Sequence, residues 1–260
     1  MGTFLAPNIL PVYEAVTDEL GRRLGMETEL VIETDYDACA RDLNEICFVC
    51  SLPYLEFERR GIAPAVPVAA PVLEGARYGG RPIYYSDVIV HRDSPFRSFL
   101  DLRGRSWAYN EPLSHSGYGI TRYHLVTLGE THGFFGEVIE AGFHEEAIRM
   151  VAAREVDASA IDSQVLAVAL RDDPSLARSL RVVDALGPST IQPVAVSKRV
   201  PLELREKIRD VLISLHENPA VAESLAVGLV ARFVPVGPSS YDDIRMMVAA
   251  CEAAGFMRVR

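Results

Sequence analysis

Two serines, a histidine and two glycines stand together at residues 114–119, and hydroxyl and imidazole groups at this spacing can bind a small anion. Apolar residues recur at helical spacing over 120–128, so the segment is predicted to open a helix. The first N–H groups of a helix lack intrahelical partners and carry a partial positive charge that favours oxyanions. Ser114 or Ser116 could equally act as an ordinary N-cap. The sequence leaves anion binding and capping both open.

The composition excludes several classes of partner. The chain has 260 residues, 49% of them hydrophobic, and its formal net charge at pH 7 is -10. This length is enough for one large domain or for two lobes with separate cores. Nucleic acids and anionic membrane surfaces both require a basic footprint, which this chain does not have. An anionic ligand must therefore be held by local dipoles and hydrogen bonds.

The start of the chain bears on its location. No stretch approaches the ~20 apolar residues of a membrane span, and residues 1–7 lack the basic start and apolar core of a secretory leader. We expect a periplasmic or otherwise extracytoplasmic protein if a leader has been removed, and a cytoplasmic one if Met1 is the native start.

The four cysteines do not suggest a disulfide scaffold in a chain of this size. Cys47 and Cys50 form a CxxC inside the apolar run 46–50, which is predicted to be a buried strand. Side chains three apart on a strand point to opposite faces, so this pair should neither chelate a metal nor form a bridge. We expect the cysteines to be buried and structural.

Helical and strand patterns alternate along most of the chain, which predicts an α/β fold with mostly parallel sheets. The predicted strands are 30–32, 46–49, 65–72, 87–90, 106–109, 137–141, 158–161 and 180–183. The predicted helices are 11–24, 36–43, 52–60, 99–104, 120–128, 145–153, 163–170, 202–215, 220–227 and 241–255.

Two extended segments, 83–88 and 190–196, flank the middle of the chain and are predicted to be crossover strands between two lobes. The first lobe comprises residues 1–85 plus 192–260, and the second comprises 86–191. The helical C-terminal part is expected to cover the first lobe. Two lobes joined in this way close on a hinge around a cleft.

Five segments resemble, in order and spacing, the phosphate/phosphite/phosphonate-binding proteins of ABC transporters. They are residues 81–86, 93–104, 114–118, 141–145 and 155–162. The resemblance extends from Phe4 to about Phe256. It implies the two-lobed type II periplasmic-binding-protein fold, a small anionic or polar ligand captured by hinge closure, no enzymatic activity, a permease of an ABC transporter as partner, and a monomer.

The resemblance also implies positions for the ligand. An aromatic residue on the first crossover corresponds to Tyr84, with Tyr85 beside it. The family's hydroxyl turn corresponds to Ser114, His115, Ser116 and Gly117, where histidine replaces the middle hydroxyl. The family's histidine at the next helix start corresponds to His144. From the residues alone, the tyrosines could be ordinary strand aromatics, and His144 could be a helix cap or be exposed to solvent.

The remaining candidates concern selectivity. In family members that bind aminoalkylphosphonates, carboxylates hold the ammonium group, and those positions fall near Gln164 and Gln192. A neutral amide cannot compensate a buried ammonium, so an aminoalkyl ligand is disfavoured. Asp162 either caps the following helix or accepts a hydrogen bond from a protonated phosphate, which would discriminate against sulfate.

Two further predictions concern the first lobe and pH. The segment 49–51, with Cys50 and Ser51, is expected to approach the ligand from the side opposite the Ser114 turn. His115 either faces solvent or lies in the site, where protonation near its ordinary pKa of ~6.5 would make anion affinity pH-dependent.

Two other function classes stay open. We find no GxSxG, HExxH, P-loop or dinucleotide fingerprint, so we predict no catalytic residue, metal or cofactor. A pyrimidine-precursor synthase of thiamine biosynthesis, which is cytoplasmic, resembles binding proteins in fold and relies on histidine and iron. The histidines here are scattered and form no recognisable ligand pair. A ligand-sensing module of the same fold is the third class.

Overall fold

The computed structural model describes residues 1–33 and 36–260, and this part of the chain forms eleven strands and ten α-helices. The strands are β1 (Gly2–Thr3), β2 (Val31–Ile32), β3 (Ile46–Phe48), β4 (Ala65–Leu73), β5 (Ile83–His91), β6 (Ser106–Tyr109), β7 (Glu137–Glu140), β8 (Ala158–Asp162), β9 (Leu180–Thr190), β10 (Val194–Ser197) and β11 (Val230–Pro235). The helices are α1 (Leu10–Leu24), α2 (Asp37–Ala40), α3 (Ser51–Arg59), α4 (Ile120–Thr127), α5 (His144–Ala152), α6 (Ser163–Asp172), α7 (Pro174–Ser179), α8 (Leu202–Ile213), α9 (Pro219–Val227) and α10 (Asp242–Ala253).

The chain divides into two compact units, each built from two segments. Unit 1 consists of Met1–Ile83 and Thr190–Asp242, and unit 2 consists of Tyr84–Ser189 and Asp243–Arg260. The chain therefore passes from one unit to the other within β5, within β9 and at the start of α10.

Unit 1 contains a six-stranded sheet in the order β11-β4-β10-β3-β1-β2. Strand β1 is parallel to both β2 and β3, whereas β10 runs antiparallel to β3 and β4. Helix α1 buries Val12, Val16 and Leu20 and packs against α8 and α9. It ends at Gly25, whose left-handed φ of 67° suits glycine. The predicted helix over 11–24 and its glycine stop are confirmed.

Unit 2 contains a five-stranded sheet in the order β7-β6-β8-β5-β9. Strand β6 is parallel to β7 and β8, and β5 is antiparallel to β8. Aromatic side chains fill much of its core: Trp107 stacks on Phe135 at 4.6 Å and Phe99 stacks on Phe134 at 5.2 Å between ring centroids. Burial of each such ring stabilises the fold by roughly 1.5–3 kcal/mol.

The C-terminal segment (residues 243–260) differs from its predicted place. It belongs to unit 2, not to the lobe formed by the N-terminal residues. Phe256 and Val259 are buried in the core of unit 2. The backbone N–H of Phe134 donates to the carbonyl of Arg260 at 2.7 Å. These contacts join sequence-distant residues, and no local pattern reveals them.

Two other elements and one boundary between the units differ from the predictions. Helix α2 is a single turn, shorter than the predicted 36–43. Strand β11 lies in a part of the chain predicted to contain little strand, and it forms one edge of the sheet of unit 1. Tyr84 and Tyr85 belong to unit 2, although the predicted boundary placed them in the first lobe.

None of the helices in residues 1–33 and 36–260 combines the length and apolar character that a membrane span requires.

Candidate functional site

The segment that joins β6 to α4 carries the predicted oxyanion turn. After β6, residues His115–Gly119 form one π-helical turn that runs directly into α4. The backbone N–H of Gly117 donates to the hydroxyl of Ser114 at 3.3 Å, so Ser114 caps this turn. The capping reading is therefore confirmed for Ser114, and the anion-binding reading of Ser114 and Ser116 stays a prediction.

Three buried side chains form a continuous polar chain in unit 2. The hydroxyls of Ser114 and Ser116 are 3.2 Å apart, and the Ser116 hydroxyl is 2.8 Å from Nε2 of His144. All three side chains are buried. The structure thus brings His144, at the start of α5, to the turn that precedes α4. A polar chain in such surroundings holds its members in fixed orientations.

Gly117 is required where it stands. A Cβ atom there would lie 2.0 Å from Oδ1 of Asn110 and 3.3 Å from the backbone nitrogen of the same residue. Only a residue without a side chain allows this close approach between the end of β6 and the π-helical turn.

His115 is buried and uncharged, which corrects both readings that the sequence left open. Its Nε2 lies 3.0 Å from the hydroxyl of Ser189, and its ring is edge-on to Tyr84 with centroids 6.5 Å apart. Burial, with a smaller contribution from the charge of Arg122, lowers the pKa of His115 to about 3. His115 therefore neither faces solvent nor becomes charged near neutral pH.

His144 is also neutral, because burial lowers its pKa to about 4. In both histidines one ring nitrogen has a partner, while Nδ1 is buried and has none among the described residues. Buried polar atoms without a partner are uncommon in folded proteins. Neutral hydroxyls and imidazoles therefore surround this turn, and they can offer hydrogen bonds to a ligand without a formal positive charge.

Asp162 and Gln164 lie where β8 passes into α6. The carboxylate of Asp162 accepts the backbone N–H of Gln164 at 2.8 Å, so Asp162 acts as the N-cap of α6. The prediction that Asp162 caps the following helix is confirmed. Its other predicted role, the discrimination of protonated phosphate from sulfate, stays a prediction. The backbone N–H of Tyr85 donates to the hydroxyl of Ser163 at 3.2 Å, which ties β5 to the same helix start.

The other three candidates belong to unit 1. Cys50 is the N-cap residue of α3 with an extended backbone, so the predicted strand over 46–50 ends earlier, at Phe48. Ser51 opens α3, and its buried hydroxyl has no hydrogen-bond partner among the described residues. Gln192 lies between the end of β9 and the start of β10. In the described part of the chain, no group of His, Cys, Asp and Glu side chains could hold a metal ion.

Sequence reasoning missed several residues that position the turn. Ser189 orients His115, Asn110 packs on Gly117, and the hydroxyl of Tyr118 accepts the backbone N–H of Val259 at 3.2 Å. Ser189 could have been noticed as a hydroxyl immediately before the predicted crossover strand 190–196. The contact of Val259 has no signal in the sequence, because it joins residues far apart in the chain.

We expect the two buried histidines to make the protein less stable in mild acid. Their pKa values are lowered on folding, so the unfolded chain binds more protons between pH ~6.5 and the folded values. The stabilisation is fully present above pH ~6.5 and is lost as the pH falls towards about 4 for His144 and about 3 for His115.

Urea unfolding of the wild type and of His115→Gln from pH 7.5 to 4.5 tests this expectation. Below pH ~6.5 the wild type should lose about 1.4 kcal/mol per pH unit more than the variant, because one titrating group has been removed. Parallel curves for the two proteins would show that His115 titrates alike in the folded and unfolded chain.

The fold and the turn together define a class of protein, the two-unit solute-binding proteins. A binding protein component of an ABC phosphonate transporter from Pseudomonas aeruginosa has a similar structure, with a TM-score of 0.81 and 20% identity, covering 95% of this chain and 84% of that one. A Prochlorococcus marinus (MIT 9301) protein solved in complex with methylphosphonate has a TM-score of 0.81 and 15% identity, covering 96% of this chain and 97% of that one. At these identities the similarity shows the fold.

The family follows from the sequence match. The family model described as "ABC transporter, phosphonate, periplasmic substrate-binding protein" matches residues 4–241, so the chain belongs to that family. A curated relative, the phosphonates-binding periplasmic protein of Escherichia coli (strain K12), is 23% identical over 232 residues. The match covers 84% of this chain and 66% of the relative, so the chain spans slightly less than two thirds of that protein's length.

Proposed function

We propose that this protein binds a small phosphorus oxyanion for an ABC-type uptake system and performs no chemistry on it. The observation that carries the proposal is the buried chain of Ser114, Ser116 and His144 beside the start of α4. The ligand's oxygens would accept hydrogen bonds from the hydroxyl of Ser114 and from the N–H groups of the turn.

The unpartnered imidazole nitrogens support this assignment. A neutral imidazole carries one N–H, and the hydrogen bond made by Nε2 decides which nitrogen has it. If Ser116 donates to Nε2 of His144, then Nδ1 carries the proton and becomes a buried donor. A ligand oxygen would satisfy that donor.

The expected selectivity follows from charge. We propose that methylphosphonate, phosphate or phosphite is preferred to an aminoalkylphosphonate, because Gln164 and Gln192 are neutral where an ammonium would require a carboxylate. The carboxylate of Asp162 lies at the start of α6, next to Gln164, and would disfavour a fully ionised oxyanion such as sulfate. The methylphosphonate complex of the Prochlorococcus marinus protein makes this ligand the first probe to use.

Location and partners are also proposals. A periplasmic site of action and a permease of an ABC transporter as partner agree with the family description. Hinge closure around the ligand and a monomeric state stay predictions, as does the role of Ser51 and Cys50 from unit 1.

A thermal-shift and calorimetric screen tests the proposed function. The panel contains methylphosphonate, phosphate, phosphite, aminoethylphosphonate, sulfate and thiamine precursors. A ligand at ~100 times its Kd adds about 2.7 kcal/mol to the free energy of unfolding, which raises Tm by roughly 5–10 °C. We expect this shift with one or more of the first three compounds and a much smaller one with aminoethylphosphonate.

The Ser116→Ala variant locates the binding. It breaks the link between Ser114 and His144 and should abolish most of the shift, whereas Ser239→Ala changes an exposed serine of unit 1 and should not. A shift produced only by a pyrimidine or pyridoxal compound would replace the proposal with the thiamine-precursor enzyme. Equal shifts of Tm in wild type and Ser116→Ala would show that the ligand does not bind at this turn.

A further inference from the structure

Unit 1 contains a cavity of about 410 Å³, within the range of roughly 300–1,000 Å³ that is usual for binding pockets. Its floor is apolar and includes Leu20 and Ile208, which are buried. Its rim includes Met26, Val31 and Leu43, three large apolar side chains that are 40–59% exposed. Exposed apolar surface that polar residues surround marks a site of interaction.

This cavity is separate from the residues of the candidate oxyanion site. Strand β1 is parallel to β2 and β3, and the cavity is lined by Val31 and Ile46, the first residues of β2 and β3. It therefore lies at the amino ends of these strands. Cys50 and Ser51 follow the carboxyl end of β3, where ligands of open α/β sheets bind. The proposed oxyanion function does not account for the cavity.

Local contacts hold one side of the rim in place. After the left-handed turn at Gly25, the N–H of Met26 donates to the carbonyl of Gly21 at 3.0 Å. The hydroxyl of Thr28 donates to the carbonyl of Thr17 at 3.1 Å. The loop between α1 and β2 is thus fixed on α1. A rim whose backbone is already fixed loses little conformational freedom when a partner covers it.

The charge of the cavity favours a cationic occupant. Glu27, Glu29 and Glu45 line it, and within residues 1–33 and 36–260 no lysine or arginine does so. Glu45 lies 3.6 Å from Arg199, whereas Glu27 and Glu29 have no ion pair in the described part of the chain. The ammonium of Met1 donates to the backbone carbonyl of Glu29, not to its carboxylate. Two carboxylates at the rim are therefore open to a positively charged partner.

We propose that this cavity binds a basic amphipathic helix of a partner protein. Apolar side chains at i, i+3, i+4 and i+7 would enter it, and lysine or arginine beside that stripe would face Glu27 and Glu29. A small apolar cation would fill the cavity but leave Ile32 uncovered, which is 62% exposed on the edge strand β2 and lies outside the lining. A second copy of this chain does not fit, because its net charge of -10 would bring two acidic surfaces together.

Fluorescence anisotropy with a designed peptide tests the proposal on the full chain. The probe is a labelled peptide of about 15 residues, with leucine at the helical spacing above and lysine and alanine elsewhere. Its control has glutamate in place of each lysine. We expect saturable binding of the lysine peptide and about ten-fold weaker binding of the glutamate peptide. No oxyanion is present, so the result is independent of the ligand screen.

An apolar variant tests docking in the cavity itself. Leu43→Ser should weaken binding of the lysine peptide about ten-fold, because it removes a side chain of the rim. Leu100→Ser is the matched control, since this leucine of unit 2 is 55% exposed and its replacement should change the affinity less than about two-fold.

A pair of double variants separates local charge from net charge. Glu27→Gln with Glu29→Gln should weaken binding of the lysine peptide about three- to ten-fold. Glu137→Gln with Glu252→Gln changes two exposed glutamates of unit 2 and gives the same net charge, so it should have a smaller effect. Equal losses in the two double variants would show that the peptide responds to net charge alone and would overturn the proposal.

Three further outcomes would contradict the proposed helix. One is absence of binding by the lysine peptide, or equal affinity of the wild type and Leu43→Ser for it. Another is a dimer of the free chain in sedimentation velocity that Leu43→Ser dissociates, because a second copy would then occupy the cavity. The third is tighter binding of decyltrimethylammonium than of the peptide, which would assign the cavity to a small apolar cation.

Discussion

Replacing Gly117 with alanine should lower the affinity for methylphosphonate by ten- to a hundred-fold, about 1.4–2.7 kcal/mol. The added Cβ would lie 2.0 Å from Oδ1, 3.1 Å from Cγ and 3.3 Å from the backbone nitrogen of Asn110. Rotation of the Asn110 amide removes the first contact and leaves the other two. The π-helical turn must therefore move away from the end of β6, and Ser114 and Ser116 move with it.

The free energy of unfolding of Gly117→Ala should change less than its free energy of ligand binding. Adding a methyl group to a tight site typically costs about 1–3 kcal/mol, and the turn can shift to reduce that cost. Isothermal titration at 25 °C gives the affinity, and urea unfolding gives the stability. The comparison of the two separates a displaced turn from a protein that has lost its fold.

Two controls make this expectation sharp. Gly237→Ala places a methyl group where no heavy atom lies within 4 Å, at a φ of -139° that any residue adopts, so its affinity should match the wild type. The double variant Gly117→Ala with Asn110→Gly removes the opposing side chain and should recover part of the affinity. Unchanged binding by Gly117→Ala would show that the position of this turn does not set the affinity.

The elements around this turn were predictable because their signals are local. The β6 strand, the turn and α4 follow one another within residues 106–127, and each has its own pattern of apolar residues and glycines. Helix α1 and its glycine stop are predictable for the same reason. The capping role of Ser114 was one of two readings, and only the contact with Gly117 shows it, while the anion-binding reading stays a prediction.

The protonation of the histidines was not predictable. A histidine in a loop looks the same in the sequence whether it is exposed or buried, and burial is what lowers the pKa of His115 to about 3. The partners of His115 come from β5 and β9, at sites far from residue 115 in the chain. The charge of this residue is therefore a tertiary property.

The place of the C-terminal segment could not be predicted from the sequence for a related reason. The amphipathic pattern of α10 predicts a helix with one buried face. It does not say which of two cores receives that face.

Phe256→Ala should destabilise unit 2 by about 3–5 kcal/mol, the usual cost of deleting a buried aromatic side chain. Phe256 is only 2% exposed and belongs to the hydrophobic core of unit 2, together with Val259 and Met247. Met247 is also the acceptor of a weak contact from the Ser189 hydroxyl at 3.9 Å, and Ser189 holds His115. Loosening the C-terminal segment should therefore also weaken the contacts that hold His115 in the π-helical turn.

Hydrogen exchange followed by mass spectrometry distinguishes the two possible places of this segment. In Phe256→Ala, protection should fall in β6, α4 and α10, while β4 and β10 of unit 1 keep theirs, because locally destabilised regions open first. Met257→Ala is the matched control, since its side chain is 55% exposed and its replacement should change stability by no more than about 0.5 kcal/mol. Loss of protection confined to β4 and β10 would return the C-terminal segment to the first lobe, where the helical pattern alone had placed it.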